Sequence, residues 1–252
     1  MYDQSELLEV LLTREKYCLV VLQSCRWDVF SDLLNDDDNM ELATGETPGE
    51  PLHAKTFATH PYPWLARGLT DWYPKTRVYS GHPAVNESGK MLERFLPNAP
   101  TAFYKDVADH DWRATDHFQS FDIHHCWTYL ENSQSYDTRY DHVFDEVMDE
   151  WITDRMVVFL RSPMFEQIPE GSLSEDEYRE QMRDVLDTAA CIAAGGEGEK
   201  VITAMHGASF RSPREYNINW LDRDHVRFTP GLNERELLEV PWYIVEQDEF
   251  MS

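Results

Sequence analysis

Lysine is scarce in this chain. Six lysines stand beside sixteen arginines, and these 22 basic residues face 47 Asp and Glu, for a net charge of −25. Such a charge repels phosphate backbones and anionic lipid, so neither nucleic acid nor a bare membrane surface is an expected partner. The acids run along the whole sequence instead of gathering in a tail. An acid-rich, lysine-poor surface suits multimolar salt, where screening within roughly 3 Å at 1 M removes most self-repulsion. A halophilic protein is expected.

Long hydrophobic runs are also missing. No stretch reaches the about 18 apolar residues a spanning helix needs, so no membrane insertion is expected. The first residues, MYDQSELLEVLLTREKYC, are acidic and amphipathic, without the basic region and apolar run of a secretory signal peptide. Four cysteines, at 18, 25, 126 and 191, form no CxxC pair and read as buried free thiols. No G-x-S-x-G elbow is present, which removes the usual frame for a triad built from Ser209, His206 and Asp222 or Asp224.

What the chain does have is core material. Hydrophobic residues make up 42% and aromatics 13% of 252 residues, enough for one packed α/β domain over 1–252. Leu7 to Leu12 have the spacing of a short amphipathic helix, and the continuous apolar run Tyr17 to Leu22 predicts a strand buried on both faces. A helix follows from Asp28 to Leu34, and the acidic stretch from Asn35 to Pro51 reads as a loop. Thr76 to Ser80 is a short strand, with a helix expected over Glu87 to Phe95.

The sequence between Pro97 and Trp127 has no regular period. A helix is expected from Tyr140 to Trp151 and a strand from Met156 to Leu160. Ser174 and Glu177 form a capping box ahead of a long helix, which Gly195-Gly196 stops. Lys200 to Ala204 and Val240 to Val245 are the remaining strands. This alternation predicts a three-layer α/β sandwich with a mostly parallel central sheet.

In such sheets ligands bind beyond the carboxyl ends of the strands. Three of these ends carry Gln23-Ser24-Cys25-Arg26-Trp27-Asp28, Arg161-Ser162-Pro163-Met164-Phe165 and Met205-His206-Gly207-Ala208-Ser209. The run VVLQSCRWDVF (20–30) resembles the opening motif of sulfatase-like proteins of the alkaline phosphatase superfamily: an apolar strand, then Asp, a small residue and Arg-x-Asp. KVITAMHGASF (200–210) is similar to their TADHGE motif, and YREQMRDVLDTAACI before it resembles the helix preceding that motif in haloarchaeal members. PWLARGLTDWYPKTRVYSGHPAVN (63–86), MVVFLRSPMF (156–165) and LLEVPWYIVE (237–246) resemble further family segments, in collinear order.

The resemblance implies an alkaline phosphatase-like fold and a site where divalent metal activates a Thr, Ser or modified Cys nucleophile. Carried over position by position, much of that site is absent. Gln23 stands where the family has a metal-binding Asp, Met205 replaces the Asp of its DHG motif, and Met164 replaces a His. A neutral amide and two thioethers do not suit Mg, Ca or Mn, and are poor for Zn. His206 stays in place, and His225 is a loose match to a late family His. The nucleophile position falls on Thr56 or Thr59. The implied reading is a degenerate pocket of Gln23, Arg26, Thr59, Met164, Met205 and His206, with no metal, no cofactor and no hydrolysis.

Two other groups of residues compete for attention. DVADHDWRATDHFQSFDIHHCW (106–127) holds His110, His117, His124 and His125 among Asp residues. No pair has the i,i+4 spacing of a zinc helix, so a solvated acidic face with aromatic anchors is the expected reading. Arg26 and Arg161 could hold an anion, although an ion pair with a neighbour such as Asp28 is the simpler expectation. The functional expectation is an inactive sulfatase-like protein with a binding or assembly role in a high-salt system, a virion or surface component among the candidates. A protein partner, or an anionic or glycan ligand, would fit that role, in the cytoplasm or within such an assembly. The alternative is an active phosphate or sulfate ester hydrolase with an atypical site, built from the 106–127 cluster.

Overall fold

The computed structural model describes residues 1–36, 50–58, 64, 68, 76–80, 122–125, 128–130, 135–137, 140–149, 154–160, 175–208 and 235–245. In chain order the strands are β1 (Tyr2–Asp3), β2 (Tyr17–Ser24), β3 (Leu52–Lys55), β4 (Arg77–Ser80) and β5 (Asp122–His125). They continue with β6 (Thr128–Leu130), β7 (Ser135–Asp137), β8 (Arg155–Leu160), β9 (Glu199–His206) and β10 (Glu239–Ile244). The helices are α1 (Gln4–Leu12), α2 (Trp27–Asp36), α3 (Tyr140–Asp149), α4 (Glu175–Gly195) and α5 (Arg235–Leu238).

All eight residues of β2 are buried, as an unbroken apolar run requires. It lies between β9 and β8, parallel to both, inside a sheet of order β1-β3-β10-β9-β2-β8-β4-β5. Every neighbouring pair in that sheet is parallel except the two made by β10, which runs against both β3 and β9. Strands β6 and β7 form a separate antiparallel pair.

Alternation along the strands sorts their side chains onto two faces. On one face Cys18 meets the end of α4, Tyr243 packs on Phe30 of α2, and α3 packs against α4, β4 and β8. On the other face lies α1, with Leu8, Leu11 and Leu12 buried. There Trp64 meets Phe159 edge-on at 6.2 Å and donates through Nε1 to Gln4 Oε1 at 2.9 Å. Helices on both faces of a mostly parallel sheet make the α/β sandwich that the element order predicts.

Several expectations are corrected in detail. Asn35 belongs to α2 instead of the following loop, and α3 stops at Asp149, short of Trp151. The segment read as irregular contains β5, which extends the sheet beside β4. Strands β1 and β3 are too short to show a period, and both were missed. Cys18 and Cys25 are buried free thiols, but Cys191 is exposed, because it lies on the side of α4 opposite Met182, Val185, Ala189 and Ala193. The expected helix over 87–95, Ser174 of the capping box and Cys126 lie outside the described residues.

The turn from α4 into β9 is where the backbone tolerates least. A Cβ on Gly196 would sit 2.3 Å from Cys18 Cβ. Gly198 has φ +70°, and a Cβ there would sit 2.2 Å from the Lys16 carbonyl oxygen. Gly198→Ala should therefore combine a left-handed backbone with a clash against main chain. A loss of about 2–4 kcal/mol is expected in denaturant unfolding; an unchanged midpoint would contradict the geometry.

Candidate functional site

The carboxyl ends of β2, β9 and β3 come together at one edge of the sheet. Leu22 pairs with Ala204 and Ser24 with His206, which puts Gln23 opposite Met205 on the α1 side. Gln23 is 4% exposed, and among the described residues its Oε1 meets no hydrogen-bond donor. Met205 is fully buried beside it. Just past β3, the Thr56 hydroxyl is buried and donates to the Met205 carbonyl at 2.7 Å, with the Ala58 carbonyl at 3.1 Å. A hydroxyl has one proton, and here backbone oxygen takes it.

His206 faces the other way. Being the next residue after Met205 on an extended strand, it projects to the α4 side, across the sheet from Gln23 and Met205. Its Nδ1 lies 2.7 Å from the Gly207 carbonyl oxygen, which can only accept, so Nδ1 carries the proton of the neutral ring. Burial pushes the imidazole pKa down to about 4, against a smaller upward pull from that carbonyl. At neutral pH the ring is an uncharged structural donor, and the same carbonyl also accepts from Ser24 Oγ at 3.1 Å.

Arg26 is spent as well. Its Nε and Nη2 reach the two carboxylate oxygens of Asp28 at 2.9 and 2.5 Å, and Nη1 lies 3.7 Å from Glu175 of α4. Burial opposes the charge on Asp28, but the Arg26 hydrogen bonds and charge outweigh it and hold the carboxyl below its usual range. The ion pair, one of the two readings open for Arg26, is what forms. Cys25, next to it, is fully buried, and burial pushes its thiol well above the ordinary value, so it is no nucleophile.

On the α2 side of the same edge lies a group the sequence reading missed. His53 of β3 stacks on Trp27 with ring centroids 4.3 Å apart, and its Nε2 lies 3.1 Å from Glu239 Oε2. Glu239 is also held by Arg235 at 2.5 Å. No sequence signal linked His53 to Glu239, because 186 positions separate them (239 − 53) and β3 is only four residues long.

Thr59, Arg161, Met164, Ser209, Asp222, Asp224, His225, His110 and His117 lie outside the described residues. His124 and His125 are on β5, in register with Tyr79 and Ser80 of β4. Among the described residues, no three His, Cys, Asp or Glu side chains gather as a metal-binding group, and no helix is long and apolar enough to cross a membrane. The residues found where the resemblance implies a metal do not fit one. They offer an amide oxygen, a thioether and a hydroxyl turned toward backbone, with no negative charge for a hard cation.

No family model matches the chain, and no curated protein matches it. Among solved structures it is similar to the C-terminal periplasmic domain of EcEptC from Escherichia coli, at 12% identity and a TM-score of 0.35. That match covers 94% of this chain and 74% of the other.

Two outcomes follow from this geometry. A buried acceptor without a donor costs about 1–3 kcal/mol, so Gln23→Met should be neutral or stabilising, whereas Gln23→Asp should cost about 3 kcal/mol or more by burying a charge. Thermal melts of both variants test this, and equal losses in the two would show that Gln23 is satisfied. The second concerns acid. His206 has a folded pKa of about 4 against an unfolded value of 6.5, so the unfolded chain binds the proton first as pH falls. Its contribution is present above pH 6.5 and lost toward pH 4, by about 3 kcal/mol at most. Unfolding free energies across that range should fall more steeply for the native protein than for His206→Gln, and parallel curves would refute the assignment.

Proposed function

We propose that this chain is a sulfatase-like protein that does not hydrolyse esters and serves as a binding or structural component of an assembly in a high-salt setting. The observation that carries the reading is the pairing of Gln23 with Met205 on adjacent central strands, where the family resemblance implies acidic metal ligands. Without a cation at that edge, Gln23, Met205 and Thr56 themselves neither lower the pKa of a hydroxyl or bound water nor neutralise charge on a phosphoryl or sulfuryl oxygen. Thr56, one of two candidates for the nucleophile, adds support, since its proton is held by the Met205 carbonyl. The α/β sandwich is compatible with an alkaline phosphatase-like origin.

The proposed partner is a protein of the same assembly, a virion or cell-surface layer being the kind of structure meant, with an anionic or glycan ligand as the alternative. The halophilic setting rests on the charge of −25 and the six lysines. Like charges spread over the surface repel at low ionic strength and are screened within a few ångströms in molar salt.

The test is elemental analysis of protein purified in molar salt, combined with turnover of aryl phosphate and aryl sulfate. Metal well below one equivalent and product release no faster than buffer are expected. Stoichiometric Zn, Mn or Ca with turnover would overturn the proposal in favour of a hydrolase using other residues, the 106–127 His and Asp among them. Melting temperature followed from about 0.2 M to about 3 M KCl tests the setting separately. A rise across the whole range is expected, and a plateau by about 0.5 M would mark an ordinary acidic protein.

A further inference from the structure

We draw no further inference here: the strongest candidate, the Trp27–His53–Glu239 cluster at the carboxyl ends of β2 and β3, supplies one imidazole already held inside the fold, and among the described residues nothing beside it shows what ligand or reaction it would serve.

Discussion

The two-sided burial of β2 is the constraint on which the rest of the structure depends. A strand with no face toward water must have both backbone edges paired and both side-chain layers covered. Strands β8 and β9 pair its edges, in parallel register from Tyr17 onward. Parallel neighbours need crossovers, and helices in those crossovers are what cover the two faces. The long helix α4 is the clearest case: it leads directly into β9, with eight of its residues buried.

Polar groups inside such a core are costly unless they are hydrogen-bonded. Gln4 shows how this is met: its amide accepts from Trp64 Nε1 and donates to Thr203 Oγ1 at 2.9 Å and to the Ala204 carbonyl at 2.7 Å. Thr203 passes its own proton to the Pro241 carbonyl at 2.7 Å. One side chain thereby joins α1, β9, β10 and the Trp64 segment, and each of its bonds is worth more for being away from water. Gln23, the other buried side-chain amide among the described residues, lacks this closure there at its oxygen. The contrast puts the less satisfied of these two amides at the strand-end edge.

Much of the fold was legible in the sequence. The Tyr17 run, the Met156 run, the Lys200 run and the α4 periodicity are long enough for burial to impose a pattern on residue choice. Short elements carry no such pattern. Two residues of β1 and four of β3 and β5 contain less than a period that could be told from chance, and the antiparallel course of β10 depends on which strand it meets. The candidate site was legible only as a set of residues. Gln23, Met205 and Arg26 were singled out from their places at strand ends; Asp28 was expected beside Arg26, but the neighbours of Gln23 and Met205 were not.

The sequence by itself determined where the buried strands lie, that they alternate with helices, and which side chains, Gln23 and Met205 among them, stand at two central strand ends. These follow from local periodicity and from the chemistry of single side chains. Only the tertiary structure decided that Gln23 faces Met205 while His206 turns to the opposite layer, and that Thr56 is tied to the Met205 carbonyl. The reason is geometric. Register and face are properties of paired strands, and a contact such as Thr56 with Met205, 149 positions apart, exists only once the sheet has closed.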